Sequence, residues 1–320
     1  MHREGYIMQE ITSYGNISEA FDRVLRGKKR KKCRQGRYLL AHREEVIAEQ
    51  TAKLADGSFR LGGYHERTIC EYGKVRHLQI ISMYDRIAVY AVMNVVDQHL
   101  HKRFIRTTGA SIKKRGTHDL RKCMQLDMER DPEGTRYCYE FDIKHFYDNT
   151  KPEFVMWCYR RVFKDKTLLS LLDHFLHLLP EGISFGLRSS QASGNLLLSE
   201  YLDHYLKDKY GIRHFYRYCD DGRVLCGNKQ ENWLAHGIVH EQVEKNRPRN
   251  QEERKGLPIS ARNRLPGVCD IQRIILSTAQ ACQEEVCKET TQSQVKKETA
   301  RTDCVILRHG QARLLPKFVL

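Results

Sequence analysis

"RHFYRYCDDGRVLC", residues 213–226, places two adjacent acids, Asp220 and Asp221, between runs of aromatic and β-branched residues. Such flanks favour strands and the acids fall where a tight turn belongs, so the segment predicts a hairpin with negative charge at its tip. The chain as a whole is basic, with 55 lysines and arginines against 40 acids and a formal charge of +15. Concentrating carboxylates on one turn therefore asks for a local reason. A third acid, Asp142, lies near the end of a short buried strand predicted over Tyr137–Ile143 in "RYCYEFDIKHFYDNT". Carboxylates brought together in a half-buried place repel each other unless a cation neutralises them. A strand end beside a hairpin tip makes an oxygen-rich site suited to Mg²⁺, which shares its ligands with phosphate. Two such ions ~3.5–4 Å apart can activate an attacking hydroxyl and stabilise a departing pyrophosphate, which is what nucleotidyl transfer needs.

Composition agrees with a phosphate-bearing partner, because nucleic acid is the commonest soluble ligand of a strongly basic surface. A chain of 320 residues can build one large domain or two modest ones. No stretch approaches the ~18 consecutive apolar residues of a membrane span. The opening "MHREGYIMQE" lacks the apolar core of a signal peptide. A cytoplasmic location without a membrane partner is expected. Eleven cysteines, an odd number with no CxxC pair, read as free thiols in a reducing compartment rather than as a zinc site.

Outward from the acids, the pattern resolves into elements. "GKKRKKCR", residues 27–34, is a basic run able to meet phosphates or solvent. Ile69, Val75, Leu78 and Ile80 are spaced as hairpin strands around Gly73. Ser82 and Asp85 have capping-box spacing at the start of a helix striped by Ile87, Ala91, Val95 and Leu100. A glycine-interrupted basic stretch, "TTGASIKKRGTHDLRKC", leads into another helix ending near Arg130. After the strand at 137–143 come helical stretches, the loop "PEGISFGLRSSQ", and a helix predicted from Gln191 to Lys209 that Gly211 stops before the hairpin.

In order, "FDIKHFYDN", "GLRSSQASGN" and "YRYCDDGRVL" resemble the palm motifs of bacterial reverse transcriptases, and "EYGKVRHLQIISMYDRIAVYAVMNVV" is similar to their fingers. The resemblance spans about residues 60–235. It implies an α+β fold, a right-hand polymerase palm of antiparallel sheet backed by helices plus fingers. Fingers with an N-terminal helical region would occupy 1–135 and the palm 136–245. It implies two Mg²⁺ ions, with Asp142, Asp220 and Asp221 catalytic and Asp142, the adjacent Ile143, Asp220 and Asp221 as the metal-binding set. Lys74 and Arg76 match the basic pair that grips the incoming triphosphate. Tyr147 matches the aromatic that packs under the sugar and excludes a 2′-hydroxyl, and Gly186 and Gln191 line the nucleotide. Lys113, Lys114 and Arg115, with Tyr218 of the tyrosine-x-aspartate-aspartate box, would meet nucleic acid. The implied partners are an RNA template, a DNA or RNA primer and deoxynucleoside triphosphates. Glutamine at 191, where retron and group II intron enzymes usually carry proline, resembles the diversity-generating type, which implies a small basic accessory protein. Phe185 departs from the glutamine that many polymerases place before the glycine.

The likeness stops near residue 245. The helix "KQENWLAHGIVHEQVEK" belongs to it, but the palm strand, primer grip and thumb expected next are missing or scrambled. "NRPRNQEERKGLP" (246–258), "NRLPGVCDI" (263–271) and "TDCVILRHGQAR" (302–313) can each be encoded by codons that, read one nucleotide later, give family-like segments. The middle one then reads Ile-Asp-Cys-Leu-Gly-Tyr-Val-Ile, similar to a primer grip. Residues 246–320 are therefore expected to be a frameshifted tail without a core of its own. The alternative is a divergent native tail. Two other functions share these features: a non-catalytic nucleic-acid-binding remnant, and a phage-defence reverse transcriptase that makes DNA without a template.

Overall fold

The structure, a computed structural model, describes residues 3–71 and 74–245, together with the backbone of 259–260 and 267–268. Tyr72, Gly73 and the rest of the segment from 246 onward lie outside the described residues. So do the hairpin tip expected at Gly73 and most of the tail read as frameshifted.

The chain opens with short helices: α1 (Met8–Ile11), α2 (Tyr14–Val24), α3 (Lys28–Lys32), α4 (Arg34–Ala41) and α5 (Arg43–Ala55). Ser13 caps α2 by accepting from the Asn16 N–H. Ile17, Ala20, Phe21 and Val24 then face inward at helical spacing. Next come β1 (Tyr64–Glu71) and β2 (Lys74–Ile81), an antiparallel ribbon running from Tyr64 opposite Ile81 to Glu71 opposite Lys74. Most of this ribbon is exposed, Val75 included at 61%. A two-stranded ribbon that buries so little draws its position from its base.

That base is α6 (Met83–His101). Ser82 caps this helix: its Oγ accepts from the Asp85 N–H at 3.0 Å, and in place of the reciprocal backbone bond of a capping box it donates to the Asp85 carboxylate at 2.8 Å. Ile87, Ala88, Val89, Ala91, Val92, Met93, Val95, Val96 and Leu100 are all buried. Apolar residues thus surround most of α6, the pattern of a helix at the centre of a core. Asn16 donates to the Ala91 carbonyl at 2.8 Å, tying α2 to it.

After α7 (Thr117–Arg130) comes β3 (Tyr137–Ile143), in which Tyr139, Phe141 and Ile143 are buried and alternate with half-buried residues. One face of β3 meets the core, and Asp142 belongs to the other. The chain continues through α8 (Phe146–Asn149), α9 (Pro152–Val162), α10 (Lys166–Leu176) and α11 (Arg188–Leu198). Helix α11 begins three residues before the expected Gln191 and gives way to π-helical turns over Ser199–Asp203 and Tyr205–Lys209. Strands β4 (His214–Tyr218) and β5 (Asp221–Cys226) follow, then α12 (Lys229–Lys245) and the two-residue strands β6 (Ile259–Ser260) and β7 (Gly267–Val268). The sheet order is β4-β5-β3-β6, with β7 also on β3 and every pairing antiparallel. This is a mixed fold of helices and antiparallel sheets, as the sequence predicts.

Candidate active site

The expected hairpin is present. Tyr218 pairs with Asp221, leaving Cys219 and Asp220 as a two-residue loop. Cys219 has φ of 54°, the left-handed region that glycine normally fills at the first place of such a loop. Holding a cysteine there costs about 1–3 kcal/mol and requires surroundings that fix it.

The fixing group is Arg217, whose side chain is fully buried. Its guanidinium clasps Asp203, also fully buried, with Nε donating to Oδ1 and Nη2 to Oδ2, both at 2.7 Å. Nη1 donates to Asn195 Oδ1 at 3.0 Å and to the Cys219 carbonyl at 2.7 Å. Thr108 Oγ1 donates to the same Asp203 carboxylate at 2.8 Å. Around the strand, the Arg217 N–H donates to the Thr107 carbonyl and the Gly109 N–H to the Arg217 carbonyl. A forked cation thus anchors the turn from beneath. The reading of the sequence misses Arg217, Asp203 and Asn195. One signal is legible there: a lone arginine at 217 within an otherwise aromatic strand.

Above this anchor, β3 and β5 bring the acids together. Asp142 lies opposite Asp221 in the register, and the Ile143 N–H donates to the Asp220 carbonyl at 3.3 Å. Paired residues point to one face, so Asp142 and Asp221 share a face of the sheet. Asp220 is half-buried while Asp221 is exposed. Burial, and after it the charge of Asp142, push the Asp220 carboxyl above the usual range, with Arg76 and Arg217 pulling the other way. The Ile143 side chain is fully buried, so only its backbone faces the acids. Among the described residues, no group of three or more His, Cys, Asp or Glu is arranged to hold a metal ion.

The donor set nonetheless fits Mg²⁺, which is commonly held by one or two carboxylates and completes its shell with water and substrate phosphate. The raised Asp220 carboxyl beside Asp142 is a place where added positive charge relieves both burial and repulsion. It also fixes the pH behaviour. An acid whose folded-state pKa exceeds its unfolded value contributes stability that is present below the unfolded pKa and lost as pH rises through the folded one. In chelator, the Asp220 contribution should therefore decline across that window, and Asp220→Asn should flatten it in thermal melts taken at successive pH values.

Of the other expected residues, Arg76 and Tyr147 come near the same place. Arg76 lies 5.1 Å from the Phe185 ring centroid and is near enough to Asp220 to act on its ionisation. Tyr147 meets Phe185 edge-on at 5.2 Å. Burial holds its hydroxyl well above the usual range, with Cys219 and Asp220 adding to the effect. The loop bearing Phe185 is pinned to β2, because Gln79 Oε1 accepts from Ser184 Oγ and from the Phe185 N–H. Gly186 is there for close approach: a Cβ would come within 2.1 Å of the Gln79 carbonyl oxygen. Backbone cannot give way cheaply, so Gly186→Ala should cost about 1–3 kcal/mol in denaturant unfolding. Gln191 accepts a hydrogen bond from Ser111, which has φ of 54°. Tyr218 is half-buried beside Gly109. Lys113 and Lys114 are exposed, whereas Arg115 donates to the Ile105 carbonyl and braces its own loop. Lys74 begins β2, and its side chain lies outside the described residues.

No family model and no curated protein matches the chain. Solved structures similar to it include apo telomerase from Candida tropicalis truncated from the C-terminal domain, with a TM-score of 0.43, 14% identity and coverage of 63% of this chain and 51% of that one. Apo telomerase from the same organism has a TM-score of 0.46 at 11% identity, over 63% of this chain and 47% of the other. Telomerase from Candida albicans in complex with a TWJ fragment of telomeric RNA has 0.44 and 11%, over 65% and 45%. The chain spans about half the length of these structures. A likeness of this extent leaves function to be argued from the residues.

Proposed function

We propose that the chain is an RNA-directed DNA polymerase of bacterial mobile-element type, closest to the diversity-generating enzymes. The observation that carries this reading is the meeting of Asp142 with the strained Asp220 turn, under an arginine and an aromatic from separate segments. Mg²⁺ ions held by Asp142 and Asp220, with Asp221 and the Ile143 backbone beside them, would supply Lewis acidity to the attacking hydroxyl and the departing pyrophosphate. Arg76, seconded by Lys74, holds the triphosphate, since a forked guanidinium matches phosphate oxygens. Tyr147 packs under the sugar, where its half-buried ring would stand against a 2′-hydroxyl. Gly186 and Gln191 shape the floor of the nucleotide site. Lys113, Lys114 and Tyr218 hold primer and template, and Arg115 supports them through the loop it braces. The template is RNA, and a small basic protein accompanies the enzyme.

The tail completes the proposal. If residues from 246 on are translated out of frame, the chain lacks a primer grip and holds its duplex poorly. Primer extension on an RNA template with deoxynucleotides and Mg²⁺ should be feeble with the 320-residue chain, and robust when the gene is restored to the alternative frame from codon 246. Robust extension by the chain as it stands refutes the tail reading. No extension by the restored chain refutes the polymerase. The lack of a ready-made three-acid group among the described residues favours one rival, a non-catalytic nucleic-acid binder. That protein would keep its affinity for nucleic acid and show no extension in either frame.

A further inference from the structure

Eight lysines and arginines stand between residues 26 and 37, and no aspartate or glutamate occurs from 23 to 43. Arg26, Lys28, Lys29, Arg30, Lys31, Lys32, Arg34 and Arg37 are all exposed. None of them has a carboxylate partner among the described residues, although Arg23 and Arg43 on either side are paired with Glu19 and with Asp22 and Glu44. The run is also shaped. Helix α3 folds back on α4 at a corner where a Cβ on Gly36 would lie 1.8 Å from the Arg30 carbonyl oxygen, and the Gly36 N–H donates to Cys33 Sγ. Gln35 accepts from the Met83 N–H, joining the corner to the start of α6 at the foot of the ribbon. There Arg86, half-buried and without a carboxylate partner among the described residues, faces the charge of Arg30. Beside the ridge, Tyr38 is 60% exposed and stacks on His42 at 4.3 Å.

We infer that the α3–α4 ridge is a binding surface for single-stranded nucleic acid, its cations tracking the phosphates and Tyr38 stacking an unpaired base. Uncompensated cations beside an exposed ring are the chemistry of such grooves. An anionic membrane fits less well, because α3 consists of five cations with no buried residue, and an interfacial helix needs an apolar face. The choice of nucleic acid as the polyanion rests in part on the polymerase reading. Binding is therefore measured in EDTA without nucleotide, where loss of polymerisation cannot alter the result.

The test uses the full chain and labelled oligo(U) and oligo(dT) of about 20 nucleotides, with anisotropy titrations between roughly 50 and 200 mM salt. Changing Lys28, Lys29, Lys31 and Lys32 to Gln should make the plot of log affinity against log salt shallower by about 0.7 for each phosphate no longer neutralised. The same four changed to Arg should keep the slope. Tyr38→Ala should weaken binding about fivefold or more with the slope unchanged, because stacking releases no counterions. These side chains are exposed, so unchanged melting curves are expected and serve as the folding control. A wild-type slope in the four-glutamine variant overturns the inference. So does a wild-type chain that binds phosphatidylserine vesicles and neither oligonucleotide.

Discussion

Changing Asp220 to asparagine is expected to lower metal-dependent primer extension by at least about 10³-fold, since a metal ligand contributes several kcal/mol to the transition state. The loss is read on the restored-frame protein, where turnover is measurable. The same substitution should raise the melting temperature of the metal-free chain at neutral pH. Burial and the neighbouring Asp142 both oppose ionisation of Asp220, and a neutral amide removes both penalties. A residue that costs stability and carries activity is the usual relation at a strained site. Lower activity together with a lower melting temperature would mean that Asp220 is a structural group.

Arg217→Ala should destabilise the chain by about 3–5 kcal/mol, because it leaves the fully buried Asp203 carboxylate without its cation. It should unfold the protein more readily than any single change at the exposed acid Asp221. Exchanging both partners for apolar residues, Arg217→Met with Asp203→Leu, should recover part of that stability. Recovery stays partial because Thr108 Oγ1 loses its acceptor and Asn195 Oδ1 loses the Arg217 donor. The double variant also releases the Cys219 carbonyl, so a folded chain should still bind divalent ions more weakly. Chemical denaturation and ion titration of the three variants separate the two effects. A double variant with full ion affinity would show that the turn holds its shape without the arginine.

Much of this arrangement is legible in the residues because it rests on local chemistry. Alternation marks the β1–β2 ribbon, turn chemistry marks the hairpin, and Ser82 with Asp85 marks the start of α6. What the sequence hides is long-range. Asp203 lies in a helical stretch whose apolar stripe reads as ordinary packing, and no spacing rule marks the π-helical turns in which it sits. The sequence puts the onset of α11 too late because Arg188 looks like a loop residue. Its guanidinium instead reaches Asn94 and Asp97 on α6, a partnership absent from any local window. Phe185, standing where a polar residue is expected, meets Arg76 and Tyr147 and gives the site an apolar wall.

The most direct measurement is Mn²⁺ binding by electron paramagnetic resonance, on the wild-type chain and on Asp142→Asn and Asp220→Asn, with a deoxynucleoside triphosphate present. Either substitution should remove most of the nucleotide-dependent bound signal while the protein stays folded. Binding equal to wild type in both variants would contradict a shared cation between β3 and the hairpin.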